Sequence, residues 1–163
     1  YISLICFCVC VCLLEKMIHS SPAILILFSP SKKLEREVIE NVFSPSGTIM
    51  WLDKESKIDM LTPISGSGPA YFFLLSETLV TETIKLGIDE NIARKLISQT
   101  FIGSASLVKE NDDFTNLTDS VTSKNGVTEA ALRIIKPDIE QIMHKALHAA
   151  LTKVQELSNE DRC

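Results

Sequence analysis

The chain has 163 residues, 45% of them hydrophobic, with a formal net charge of −5 and a pI near 5.2. That is enough apolar material for the core of one domain or one and a half. The absence of a dense Lys/Arg stripe argues against nucleic-acid binding, which needs clustered cations to neutralise phosphates, and the six glycines and six prolines exclude a collagen-like chain or long disordered tracts.

Residues 1–14 form an apolar run broken only by Ser3. The run is shorter than the roughly 18–20 residues that span a bilayer. It lacks a preceding basic segment and a clean cleavage site. It is expected to be a buried strand or a piece of a truncated reading frame, with a membrane anchor as the alternative. Cys6, Cys8, Cys10 and Cys12 alternate within it, and Cys163 ends the chain. Alternation places the four on one face of a strand, where disulfides between near neighbours are strained. The C-x-x-C turns of a metal site are missing. Buried thiols in a reducing cytoplasm are expected, with no metal.

Ala23-Ile24-Leu25-Ile26-Leu27-Phe28, bounded by Pro22 and Pro30, reads as a strand. Ser31 can cap a helix over Lys32 to Phe43, in which Leu34, Val38, Ile39 and Val42 recur at helical spacing. Ser44-Pro45-Ser46-Gly47 is a turn and Thr48 to Leu52 a second strand. Strand, helix, strand predicts an α/β crossover unit.

From Ser65 onward the pattern is helical. Gly68-Pro69 opens a helix, with proline at the tolerated first position, and Gly87 closes it as a left-handed cap. Asp89 is an N-cap for the next helix, which carries Ile92, Leu96, Gly103 and Leu107 on one side with Ala93, Ile97, Phe101 and Val108 beside them. The small residues Gly103 to Ser106 would allow another helix to approach closely. Asn111-Asp112-Asp113 ends that helix, and a short one spans Phe114 to Val121. Glu129 to Lys136 is helical, and Pro137 is expected to start a separate last helix containing Ile139, Ile142, Met143, Ala146, Ala150, Val154 and Leu157.

Several segments invite a chemical reading. Gly66-Ser67-Gly68-Pro69-Ala70-Tyr71 begins like a dinucleotide fingerprint, but Tyr71 stands at the third glycine and Pro69 lacks an N–H. A tight turn feeding a helix is the better reading, and neither a G-x-G-x-x-G nor a G-x-S-x-G occurs. Glu140, His144 and His148 share one helical face, yet Lys145 stands where a zinc protease carries its glutamate, so a solvated face is expected. Asp59, Asp112 and Asp113 lack the contrasting environments that separate catalytic carboxylates.

Ser123-Lys124-Asn125-Gly126-Val127-Thr128 differs. Asn125-Gly126 favours a tight turn, and a helix follows at once. The N–H groups of Gly126, Val127 and Thr128 would point outward at a helix start, where a carboxylate gains hydrogen bonds and about 0.3–2 kcal/mol from the dipole. Composition by itself also fits a plain helix cap.

Leu61-Thr62-Pro63-Ile64-Ser65-Gly66-Ser67-Gly68-Pro69-Ala70-Tyr71-Phe72 resembles the segment with which pyrroline-5-carboxylate reductases enter their helical dimerisation domain. Val121 to Thr128, followed by Ala130, Ala131 and Leu132, resembles that family's substrate loop, and the spacing between the two segments is similar. The resemblance covers about Ile58 to Leu157. It extends more weakly back to Met17, through Ser21-Pro22-Ala23 and the Ile39 to Leu52 region. Residues 1–16 resemble nothing in the family.

The resemblance implies a mainly α chain. A helical dimerisation and substrate domain would occupy residues 62–163, an incomplete Rossmann-type α/β remnant residues 17–61, and an apolar Cys-rich segment residues 1–16. It implies hydride transfer from NADPH or NADH to 1-pyrroline-5-carboxylate, giving L-proline, in a cytoplasmic homodimer or higher homo-oligomer. It assigns the substrate carboxylate to the N–H groups of Gly126, Val127 and Thr128 with help from Ser123, and it turns the Thr128 hydroxyl toward the ring nitrogen as the catalytic contact. Lys124-Asn125 stands where the family has Pro-Gly; asparagine tolerates positive φ, so the turn is expected to survive. The glycine-rich loop that binds the cofactor is absent, leaving no cofactor-binding residues to name. The chain by itself is therefore expected to be inactive, and the alternative is a non-catalytic oligomerisation module or a split-enzyme subunit.

Overall fold

A computed structural model describes residues 6–10, 23–28 and 33–160. In chain order these form β1 (Cys6–Cys10), β2 (Ala23–Phe28), α1 (Lys33–Phe43), a 3-10 turn (Ser44–Ser46), β3 (Gly47–Leu52), α2 (Ser56–Ser65), α3 (Gly68–Lys85), α4 (Glu90–Val108), α5 (Phe114–Ser120) and α6 (Val127–Glu160). The fold is mainly α, with a small α/β part ahead of the helices. The chain divides into two units: residues 1–69 with 146–163, and residues 70–145.

In the first unit β2 is the central strand of the order β1-β2-β3. β2 and β3 run parallel, from Ala23↔Gly47 to Phe28↔Leu52, with α1 as the crossover. The expected strand–helix–strand unit is present. β1 pairs antiparallel with β2, from Cys6↔Phe28 to Cys10↔Ile24. The alternating cysteines Cys6, Cys8 and Cys10 thus occupy a strand, while Cys12, Cys163 and the proposed Ser31 cap lie outside the described residues.

A central strand is flanked on both edges, so an unbroken apolar run suits it. Leu27 is fully buried against Ile39, with Phe43, Ile49 and Trp51 packed around them. The apolar face of α1 is narrower than its sequence suggests, because Val38 and Val42 are exposed. Trp51 is tied to the same helix: its indole N–H donates to Glu40 Oε1 at 2.7 Å, and the Arg36 guanidinium sits 4.9 Å from its ring centroid.

α2 is an element that the sequence reading does not include. Pro63 lies inside it and is fully buried, as Ile58 nearly is. The helix packs on β1 and β2, and that burial outweighs the lost backbone hydrogen bond. The Gly66 N–H closes the helix on Thr62 O at 2.9 Å. Gly66-Ser67 is therefore a helix-to-helix turn feeding α3, without the preceding strand that a dinucleotide fingerprint requires.

In the second unit the Asp89 and Gly87 caps read from the sequence are in place. Asp89 Oδ1 accepts from the Asn91 and Ile92 amides at 2.9 and 3.2 Å. Gly87 takes φ 91°, and its N–H donates to Ile84 O at 2.9 Å. Asp113 caps α5 through the Asn116 amide at 3.0 Å. Two contacts link α3 and α4. The Arg94 guanidinium forks onto both Glu77 oxygens at 3.0 and 3.1 Å while its Nε holds Glu90 at 2.9 Å, and the Phe72 and Phe101 rings meet at 6.0 Å. Val80 and Ala93 are the buried apolar residues of this unit among those described, whereas Phe72, Phe73, Leu75, Ile92 and Leu96 are exposed. Space around Gly103 is open, with no atom within 4 Å of an added Cβ.

One expected boundary is wrong. Pro137 does not start a new helix; it lies inside a single 34-residue α6. A mid-helix proline forfeits one N–H bond and crowds the carbonyl four residues back, here that of Arg133. Both residues are exposed, so water can satisfy that carbonyl, and the surrounding Ala, Leu, Glu and Lys residues favour helix. No described helix is long and apolar enough to cross a membrane.

Candidate functional site: the loop ahead of the long helix

The segment between α5 and α6 is a four-residue turn closed by the Gly126 N–H on Ser123 O at 2.9 Å. Asn125, third in the turn, takes φ 58°. That is the left-handed region asparagine tolerates better than most residues, so the turn survives at Lys124-Asn125. Gly126 then acts as the helix cap, its carbonyl accepting from the Ala130 N–H at 3.1 Å. The amides of Val127, Thr128 and Glu129 precede that first helical bond and belong to the unsatisfied start of α6. Val127 is 89% exposed, and Thr128 and Glu129 are partly so.

Gly126 plays a different part from the one the resemblance assigns. Its N–H is spent inside the turn and does not point outward. Its contribution is the missing side chain: a Cβ would collide with Ser123 Oγ and stand 2.9 Å from Ser123 O. Glycine leaves room for the Ser123 side chain to fold against the Gly126 backbone. Val127 and Thr128 are the expected donors left available.

Glu129 is a loop residue the sequence reading missed. One carboxylate oxygen accepts a short hydrogen bond from the Asn125 N–H, and the other holds Arg133 at 3.0 Å. The signal was present, since a glutamate three residues after a cap commonly reaches back to an N–H ahead of the helix. Lys124 is exposed on the turn. Two cations and one anion therefore surround the positive end of the α6 dipole, which favours an anionic ligand.

The other motifs converge less. Among the described residues no group of three or more His, Cys, Asp or Glu side chains is arranged to hold a metal, and Glu140, His144 and His148 lie along exposed α6. Nor do the described residues fit a dinucleotide. Among the described residues no Gly-x-Gly-x-x-Gly loop leads from a strand into a helix.

Part of an α/β domain thus precedes a helical unit that carries exposed apolar residues and a tight turn at the start of its longest helix. The family model for pyrroline-5-carboxylate reductase dimerisation matches residues 55–157. A pyrroline-5-carboxylate reductase of Haemophilus influenzae is 36% identical over 136 residues, covering 80% of this chain and 50% of its own. One of Pseudomonas aeruginosa is 38% identical over 121 residues, covering 73% and 44%. The structure of a pyrroline-5-carboxylate reductase from Coxiella burnetii superposes with a TM-score of 0.77 at 31% identity, over 83% of this chain and 52% of that one. A Plasmodium falciparum pyrroline carboxylate reductase, solved with NADP bound, gives a TM-score of 0.68 at 28% identity, over 83% and 56%.

This chain belongs to the pyrroline-5-carboxylate reductase family. It spans about half the length of the curated relatives it matches.

Proposed function

We propose that this chain supplies the substrate loop and the subunit-association surface for NAD(P)H-dependent reduction of 1-pyrroline-5-carboxylate to L-proline. The observation that carries the reading is the exposed start of α6 behind the Ser123–Gly126 turn, where the Val127 and Thr128 amides precede the first helical hydrogen bond. In this reading the Val127 and Thr128 amides hold the substrate carboxylate, with the Ser123 hydroxyl beside them. Lys124 draws the anion in, and Gly126 keeps the turn open to Ser123. The Thr128 hydroxyl is assigned to the ring nitrogen, where a hydrogen bond steadies the charge that changes as imine becomes amine. The nicotinamide cofactor is the hydride source of the family. Because the described residues hold no glycine-rich loop, what they contribute is substrate orientation and assembly.

The same reading takes residues 17–61 as part of a cofactor domain and residues 62–163 as the dimerising substrate domain. It places the protein in the cytoplasm, as a homodimer or larger assembly. The exposed Phe72, Phe73, Leu75, Ile92 and Leu96 suit burial against a second copy.

Amide NMR of the full chain tests the substrate loop. L-Proline should shift the Val127 and Thr128 amide signals, whereas pyrrolidine, which lacks the carboxylate, should not. No response to proline would overturn the assignment. Catalysis is tested separately with NADPH and 1-pyrroline-5-carboxylate: turnover should appear when a family cofactor domain is added to the chain. A dimer that binds no proline and gives no turnover in that mixture would leave a pure association module.

A further inference from the structure

Resting on the substrate-loop reading above, we propose that Glu129 is the positioning residue of the loop: its carboxylate holds Asn125 in the left-handed conformation and so aims the Val127 and Thr128 amides at the ligand. Three observations converge on this role. Asn125 is the one non-glycine residue with positive φ among those described, at 58°, and such a conformation carries a local energetic cost that its surroundings must offset. The Asn125 N–H points back over the helix start and is taken by Glu129 Oε2. The second oxygen, Oε1, is anchored by Arg133 one turn further along α6 at 3.0 Å. The carboxylate therefore has little freedom, and its side chain is only 30% exposed.

Arg133, Glu129 and the Asn125 amide make a continuous charge-assisted chain running from the body of α6 to the tip of the turn. The turn has one other internal fastening, the Gly126 N–H on Ser123 O at 2.9 Å. If the Glu129 brace is released, Asn125 is free to leave the left-handed region. The Ser123 hydroxyl and the Val127 and Thr128 amides then lose their common aim. Glu129 does not itself touch the substrate in this scheme. Its negative charge at the helix start opposes an anionic ligand, an electrostatic cost that the Arg133 pair offsets.

Four variants of the full chain separate bracing from charge. Glu129→Gln keeps an oxygen for the Asn125 N–H and removes the charge, so L-proline should bind at least as tightly as to the native chain. Glu129→Ala removes the acceptor and should weaken proline binding roughly tenfold, the usual scale for a lost charge-assisted hydrogen bond. Asn125→Gly in the Glu129→Ala background should restore most of that loss, because glycine adopts positive φ without strain. Asn125→Gly by itself should change little.

The brace is also read without ligand. The Asn125 amide proton should resonate downfield in the native chain and move upfield in Glu129→Ala, with a backbone coupling constant that leaves the left-handed range. An Asn125 conformation unchanged in Glu129→Ala would overturn the proposal, as would equal weakening by the Gln and Ala variants, or a double variant that stays as weak as Glu129→Ala. If the native chain binds no proline, the substrate-loop reading fails, and the ligand-free spectra still decide whether Glu129 holds the turn.

Discussion

Replacing Gly126 by alanine tests the turn most directly. The added Cβ would meet Ser123 Oγ well inside contact distance, Ser123 O at 2.9 Å and Ser123 Cβ at 3.4 Å. The hydroxyl can rotate away, and the Cβ contact is nearly ordinary. The carbonyl contact is closer than real Cβ atoms tolerate, and that oxygen is the acceptor for the Gly126 N–H. It can retreat only by opening the turn. Loss of that hydrogen bond costs about 1 kcal/mol, and local overpacking about 1–3 kcal/mol. Alanine also restricts the unfolded chain, which returns about 0.4–1 kcal/mol. The net expectation is a destabilisation of about 1–3.5 kcal/mol. It is measured by urea unfolding followed at 222 nm, at fixed chain concentration because association adds to stability. Proline binding should weaken in parallel. Ser123→Ala combined with Gly126→Ala should recover only part of the loss, because the carbonyl contact persists. A Gly126→Ala chain with native stability and native proline affinity would refute the close-approach argument.

Thr128→Ala, in a preparation made active by an added cofactor domain, should lower kcat/KM by a factor equivalent to about 1–2 kcal/mol; unchanged kinetics would remove its hydroxyl from the mechanism. Phe72→Asp places a charge on the exposed face of α3 and should shift the assembly toward monomer in sedimentation equilibrium, while far-ultraviolet circular dichroism retains its helical signature. The Arg94 hydrogen bond, with the charge beside it, holds the Glu77 carboxyl below its ordinary pKa of 4.5. Because the folded value is the lower one, this contribution to stability is present above the ordinary value and fades as pH falls through the folded value. Glu77→Gln should therefore flatten the acid side of the stability–pH curve and leave its slope above neutrality unchanged. Pro137→Ala should raise the melting temperature, since it restores an N–H donor inside an exposed stretch of α6; a lower melting temperature would mean that the proline serves packing or assembly.

The sequence by itself determined most of the local structure and pointed to the site. The apolar run of β2, the crossover through α1, the Asp89 and Gly87 caps and the polar loop ahead of Val127 all follow from short-range rules: side-chain period, capping chemistry and backbone freedom. Those rules act within a few residues, so one sequence suffices to read them. Where they fall short the reasons differ. α2 goes unread because burial of Ile58 and Pro63 supports it. Pro137 reads as a start, but its exposed position and strongly helical neighbours carry α6 through it. The loop illustrates both sides. Its turn and the helix start that follows were legible in advance. Only the tertiary structure decided that Gly126 spends its N–H within the turn, that Ser123 folds over the space left by the missing side chain, and that Glu129 ties down Asn125. Such choices depend on angles and distances between side chain and backbone, which order along the chain does not specify.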